Sequence, residues 1–237
     1  MIPWVSIVTP LYNGVEFLEE CAMSVCLQRC ESETVRFTWE WWIGVNGHGP
    51  TGGDVLIAAE EVKRKCSTNI GDCSIHVVNL PEVKGKVEAL NALVQNSLGE
   101  WIAILDCDDT WERNKLLFQR ATIDRVRVDV IGARCNYFGE LNRPGPDIPV
   151  GVVPEESFWK WNPMINSSVL IRRELAYWED RYGLEDYDLW LRLLKKGAVF
   201  FNVPYYLVNH RLHAGSAFNG KGKQDMYGLL LYHAGLV

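Results

Sequence analysis

A regular alternation along the first two-thirds of the chain limits its fold more than anything else. Short apolar runs at residues 5–9, 41–45, 75–79, 101–105 and 128–133 alternate with longer amphipathic stretches at residues 16–27, 54–66, 85–96 and 113–125. Strand-length runs separated by helix-length ones are the pattern of βαβ units, in which each crossover returns the chain to a parallel neighbour. The expected class is therefore α/β, with a mostly parallel central sheet flanked by helices. Asp54 is the expected N-cap of the second helix. The glycine-rich segment Asn46-Gly47-His48-Gly49 marks the loop after the second strand. At Asn142-Arg-Pro-Gly-Pro-Asp-Ile-Pro149 the alternation breaks. Beyond it the pattern predicts a strand at residues 167–171, a helix at 187–196, two short extended runs near Val199 and Tyr206, and a helical tail. The reading is one domain over residues 1–237, with parts at 1–140 and 141–237.

Composition narrows the class. The chain has 237 residues, and 48% hydrophobic content supplies a sizeable core. A net charge of -6, with no Lys/Arg block, argues against a nucleic-acid surface. Seven cysteines at irregular spacing form no CxxC pair. Cys66 and Cys73 could bridge in an oxidising lumen, but a disulfide framework is unusual in a chain of this size, so a reduced, cytoplasmic setting fits. The amino end opens directly into strand-like sequence without a basic leader, and no run of eighteen apolar residues suggests a transmembrane segment. Ten tryptophans are core by default. The partly apolar tail at residues 227–237 is a candidate homodimer contact, or the cut end of a longer chain.

The fourth apolar run leads straight into Asp106, Asp108 and Asp109. Carboxylates this close repel, so one must take up a proton or splay into water unless a cation sits among them. Hard oxygen donors suit Mg²⁺ or Mn²⁺, and Mg²⁺ is usually held by one or two carboxylates while phosphate oxygens and water complete the shell. The plain alternative is an acidic turn in which Asp109 or Thr110 caps a helix starting near Trp111. In open α/β sheets ligands sit beyond the carboxyl ends of the strands. Residues 9–13, 46–48 and 106–108 follow three such strands, so they should meet along one edge.

Taken together the motifs resemble family 2 glycosyltransferases of the GT-A fold. Five elements match in order: Thr9-Pro-Leu-Tyr-Asn13; Lys84-Gly-Lys86 with Ala89-Leu-Asn91; Gly99-Glu100 with Leu105-Asp-Cys-Asp-Asp109; Leu184-Glu-Asp-Tyr-Asp-Leu-Trp-Leu-Arg192; and His210-Arg-Leu-His213 with Ser216. A DxD motif alone is weak, but a DxD ending a strand with an EDxDLWLR helix start about eighty residues later is a strong combination. The resemblance implies a metal-dependent inverting transferase that moves a sugar from a nucleoside diphosphate donor, UDP favoured, to a hydroxyl of a glycan or related acceptor. It makes residues 1–140 the nucleotide-sugar-binding part and 141–237 the part that binds acceptor and supplies the base. It also implies that Thr9, Pro10 and Tyr12 cradle the base. Asp106 would lie near the ribose or metal, Asp108 would hold Mn²⁺ or Mg²⁺, and His213 would reach the metal or diphosphate. Lys84 and Lys86 would add positive charge.

Asp186 is the expected catalytic base, set at the start of a helix whose Leu189, Leu193 and Leu194 share one face. Glu185 and Trp190 are the candidate acceptor contacts. The plain alternative is that Glu185 and Asp186 serve the helix dipole or pair with Arg192. Cys107 should point away from the flanking aspartates if strand alternation continues.

One departure concerns the second strand, where the family commonly carries Asp-Asp-Gly-Ser and this chain has Val45-Asn46-Gly47-His48. Asn46 can exchange hydrogen bonds with a base edge but brings no charge. The altered segment leaves a degenerate, non-catalytic nucleotide- or glycan-binding module as an alternative. A sugar-1-phosphate nucleotidyltransferase ranks lower, because Pro10-Leu-Tyr-Asn-Gly14 is not the glycine-rich basic loop such an enzyme would carry.

Overall fold

A computed structural model describes residues 2–32, 35–49, 52–68, 70–213 and 224–236. The βαβ pattern appears as β1 (Val5–Leu11), α1 (Leu18–Cys26), β2 (Trp39–Asn46), α2 (Gly53–Cys66), β3 (Ser74–Leu80), α3 (Lys86–Asn96) and β4 (Trp101–Ile104). β1 is the hub, parallel to β2 on one side and to β4 on the other, and β2 is parallel to β3. Val5, Ile7, Val8 and Leu11 of β1 have no exposed surface. Helices covering both faces of a parallel sheet explain why β1 reads as a nearly continuous apolar run.

The second half completes the same sheet. β6 (Val130–Gly139) follows β5 (Thr110–Trp111) and α4 (Lys115–Ile123), and short strands β7 (Arg143–Pro144) and β8 (Gly151–Val152) precede the one-turn helix α5 (Glu155–Phe158). β9 (Leu170–Arg172) runs antiparallel between β4 and β6, and β10 (Phe200–Leu212) runs parallel to β6. β10 therefore points the same way as β1, β2 and β4, and its carboxyl end reaches the same edge of the sheet. α6 (Glu185–Lys195) and α7 (Met226–Ala234) pack beside it. No helix among the described residues is long and apolar enough to cross a membrane.

Several local expectations give way to tertiary contacts. Asp54 does not cap α2: Gly52 holds that position without a side-chain bond, and Asp54 sits in the first turn, where its charge suits the helix dipole. No helix starts at Trp111, because β5 pairs antiparallel with β10 and the Trp111 indole donates to the Ser167 carbonyl at 2.7 Å; α4 begins only after Asn114. Residues 166–168 form a 3-10 turn ahead of the short β9. The runs near Val199 and Tyr206 belong to a single strand, β10, whose register shifts between Val203 and Val208. Pro204 lies in that irregular stretch, and a proline has no N–H for the ladder. Cys66 and Cys73 are not partners. Cys66 neighbours Cys26, the Cys73 sulfur faces that of Cys30 at 3.9 Å, and all seven cysteines are free.

Candidate active site

The carboxyl ends of β1, β2 and β4 open into a cleft of about 780 Å³. Two further elements close it: the start of α6 supplies Glu185 and Asp186, and the end of β10 supplies His210 and His213. Ser216 lies outside the described residues.

At one end of the cleft Tyr12 stacks on His48, ring centroids 5.0 Å apart and planes at 26°. Tyr12 is 54% exposed, so its ring forms a supported aromatic shelf. Gly47 makes the turn beneath it with φ of 73°, and a Cβ there would come within 3.2 Å of both the Tyr12 ring and the Val83 carbonyl, so only glycine fits. Asn46 lines the cleft yet is only 2% exposed, and its Oδ1 has no hydrogen-bond partner. A buried acceptor without a donor costs about 1–3 kcal/mol until a ligand N–H satisfies it. Pro10 lines the cleft as well. Thr9 does not: it is fully buried, and its hydroxyl accepts from the Trp41 indole at 2.9 Å, so strand alternation turns it into the core rather than toward a base.

The three aspartates after β4 have separate tasks. Lys86 at the start of α3 donates to Asp106 at 2.9 and 3.1 Å and lies 3.3 Å from Glu185. It thereby ties the loop after β4 to the start of α6. Asn166 also donates to Asp106, at 3.2 Å. Burial works against the charge on Asp106, but Lys86 and Asn166 outweigh it and hold the carboxyl below its ordinary range. For Lys86, burial opposes the ammonium, and Asp106 and Glu185 more than compensate. Asp108 faces His213, Nε2 to Oδ2 3.0 Å; burial first, then Asp109 and Asp106, push its carboxyl upward. Asp109 is fully buried and caps no helix. Instead it accepts from the Arg211 N–H at 2.8 Å and meets His210 Nδ1 at 3.0 Å, pinning the end of β10 to the loop.

Among the described residues no three carboxylate, imidazole or thiolate side chains converge on one point. The expected trio of Asp106, Asp108 and His213 is thus split, because Asp106 turns to Lys86 and Asn166. Asp108 and His213 remain, partly exposed in the cleft wall. These are one hard oxygen donor and one imidazole. They fit a divalent ion that takes its other ligands from phosphate oxygens and water.

At the other end, Asp186 opens α6. Its Oδ1 accepts from the Tyr187 N–H at 2.7 Å and its Oδ2 from Asn162 Nδ2 at 2.9 Å. Burial, aided by the Glu185 charge, raises the carboxyl to about 6, against the opposing pull of Lys86 and the two N–H donors. Among the described residues no cation lies within ion-pairing distance of it, whereas Asp106 and Glu185 share Lys86 and Asp108 faces His213. Arg192 pairs with Asp188 at 2.7 Å, which also meets His233 at 2.9 Å. Trp190 is fully buried, edge-on to Phe200, and forms no part of the cleft, because helical periodicity carries it to the core side with Leu189 and Leu193. Cys107 lines the cleft, its thiol donating to the Asn13 carbonyl at 3.2 Å; the strand ends at Ile104, so no alternation governs it.

Sequence reasoning missed Asn162 and Asn166, the residues that orient Asp186 and Asp106. Both lie in Asn162-Pro-Met-Ile-Asn166, which has neither period, and only its proline marked it as irregular. Tyr182 and Gly183 were missed too. Both have positive φ, 55° and 68°, an uncommon conformation for a tyrosine, and Gly183 lines the cleft beside Glu185.

Comparison with known proteins agrees with this geometry. The model of glycosyl transferase family 2 matches residues 6–177, so α6 and β10 lie beyond the matched segment. The Bacillus subtilis (strain 168) glycosyltransferase TuaG, provisionally assigned to teichuronic acid biosynthesis, is 25% identical over 93% of this chain and 84% of its own length. A crystal structure of S. aureus TarS 1-349 with UDP-GlcNAc superposes with a TM-score of 0.74 at 16% identity, over 98% of this chain and 66% of that one. The mannosyltransferase PcManGT from Pyrobaculum calidifontis, in complex with GDP-Man and Mn²⁺, gives a TM-score of 0.64 at 14% identity, over 92% of this chain and 60% of that one. The family match covers most of the chain and the cleft sits where the fold places its ligands: the chain belongs to glycosyl transferase family 2, as a glycosyltransferase of the GT-A fold.

Proposed function

We propose that this protein is a metal-dependent, inverting glycosyltransferase that moves a sugar from a UDP-linked donor to a hydroxyl of a glycan or related acceptor, with Asp186 as the general base. One observation carries the reading: a single cleft holds an aromatic shelf with an unmet acceptor at one end and, at the other, a carboxylate near pKa 6 that no cation among the described residues pairs with. A base poised near neutral pH can take the proton of an attacking hydroxyl as the new bond forms, a contribution of about 10²–10⁴ in rate. Attack from the face opposite the leaving diphosphate inverts the anomeric centre.

Tyr12 and Asn46 favour a planar base that stacks and donates one N–H, which uracil does through N3. TarS is seen with UDP-GlcNAc and PcManGT with GDP-Man, so the base is the first point to test. Asp108 and His213 would hold Mn²⁺ or Mg²⁺, and the chemistry such an ion supplies is stabilisation of negative charge on the leaving diphosphate. Lys86 helps keep Asp106 ionised and ties Asp106 and Glu185 in place. Free thiols suit a cytoplasmic setting.

The test is a thermal-shift and transfer assay with UDP-, GDP- and dTDP-sugars, each with Mn²⁺ or with excess chelator, since a ligand that binds the native state raises its melting point. Stabilisation by UDP-sugars that the chelator removes, with a product of inverted anomeric configuration by NMR, is the expected result. Equal shifts with chelator present would remove the metal, and a retained configuration would remove the role of Asp186.

A further inference from the structure

Four cysteines gather at the amino-terminal ends of β2 and β3, the opposite ends of these strands from the cleft. Cys26 closes α1 and Cys66 closes α2, and burial together with the neighbouring Cys66 pushes the Cys26 thiol up. Cys30 and Cys73 lie beside them, sulfurs 3.9 Å apart. A shared metal does not account for the group, because among the described residues no three metal-binding side chains converge. The sulfurs stand in pairs.

The Cys30/Cys73 pair differs from its neighbour in access and in polarity. Cys66 is buried, whereas Cys30 and Cys73 are both half-buried. The Trp39 N–H points at the Cys73 sulfur from 3.4 Å, and an N–H aimed at sulfur favours the thiolate. The Cys30 sulfur at 3.9 Å acts the same way and holds Cys73 below its ordinary range, while Cys30, whose thiol also faces the Gln28 carbonyl at 3.6 Å, is pushed up. Cys73 is thus the attacking sulfur and Cys30 the resolving one. A disulfide needs the sulfurs, now 3.9 Å apart, about 2 Å closer, a movement of the size that rotation about a Cα–Cβ bond makes. Cys30 is anchored by its carbonyl, which accepts from Phe37 N–H at 2.9 Å, and Cys73 immediately precedes β3.

We infer that Cys30 and Cys73 form an oxidative crosslinking site, closed by thiol–disulfide exchange with a small-molecule disulfide such as oxidised glutathione. The Cys73 thiolate attacks one sulfur of the reagent and its S–S bond breaks; the departing thiolate takes up the proton that Cys73 lost. The Cys30 thiolate then attacks the Cys73 sulfur, displacing the second reagent thiol, which carries the Cys30 proton. Two electrons pass from the cysteine pair to the reagent, and two reduced thiols leave. The crosslink closes the loop between residues 30 and 73, removing freedom from the unfolded chain. It lies away from the cleft and does not depend on the proposed transfer reaction.

The experiment treats the full, folded chain with oxidised glutathione and maps its peptides by mass spectrometry without reduction. The expected product is a Cys30–Cys73 peptide pair lighter by two hydrogens, reversed by dithiothreitol, with a rise in melting temperature that Cys30→Ser and Cys73→Ser abolish and with donor affinity unchanged. The map of the unsubstituted protein decides the matter even if a serine variant misfolds. Cys30 and Cys73 that both stay open to iodoacetamide after treatment would overturn the inference. So would a bridge from Cys73 to Cys66, or a glutathione adduct that never resolves.

Discussion

Asn162 donates its Nδ2 hydrogen to Asp186 Oδ2 at 2.9 Å, and its Oδ1 accepts the Met164 N–H at 3.2 Å. The second bond fixes which way the amide faces, since only one orientation satisfies both partners. Asn162 therefore always presents a donor to Asp186, which favours the ionised carboxylate. Around it Glu185 works against that charge, and Lys86 and the Tyr187 N–H work for it.

Replacing Asn162 with alanine should raise the Asp186 pKa further above about 6. The acid limb of the kcat/KM profile then moves to higher pH. Activity is reduced at neutral pH and largely regained in alkaline buffer. A purely structural role for Asn162 would instead lower the profile at every pH without moving its limb, and measuring kcat/KM from pH 5 to about 9 distinguishes the two.

Asp186→Asn should leave donor affinity intact while transfer falls by about 10²–10⁴. It should also stabilise the protein, by an amount that depends on pH. Asp186 is raised from 3.8 to about 6, so the native state prefers the protonated form. Its stabilising contribution is complete below 3.8 and is lost as pH rises through about 6. The melting temperature of the asparagine variant should exceed that of the parent near pH 7, with the gap closing toward pH 4. A constant gap over that range would show that Asp186 is not the group responsible.

Asp108 and Asp109 are neighbours with different fates on substitution. Asp108→Ala should abolish the Mn²⁺ dependence of donor binding with little loss of stability, read by calorimetric titration. Asp109→Ala removes the acceptor for the Arg211 N–H and the partner of His210. Leaving a buried backbone donor unmet costs about 1–3 kcal/mol, so this variant should unfold earlier in urea. Equal urea midpoints for Asp109→Ala and the parent would refute the pinning role.

Tyr12 and Trp190 separate binding from packing in the same way. Tyr12→Ala removes an exposed shelf and should raise the donor KM with a small change in kcat. Trp190→Ala opens a hole in the core and should cost about 3–5 kcal/mol, visible as a lower melting temperature with donor KM unchanged in the folded fraction. A donor-specific KM effect at Trp190 would return it to the acceptor or donor surface.

The sequence by itself determined the fold class and the cleft's location. Apolar runs of strand length alternating with amphipathic ones are local properties, and the parallel β1–β4 hub follows from them, as does the meeting of residues 10–13, 46 and 106–108 at one edge. Asp106, Asp108 and Asp186 were legible because motif spacing records which loops a βαβ topology brings together. Only the tertiary structure decided which side chain faces what. Thr9 and Trp190 sit in legible motifs yet turn into the core, since one strand alternates every residue and one helix turns every 3.6. Asp109 looked like a helix cap until β10, about a hundred residues later, brought Arg211 and His210 to it. Asn162 left no signal at all: a single hydrogen bond made across the fold by an aperiodic segment has no counterpart in local sequence, because its energy comes from the partner that the chain's long-range path delivers.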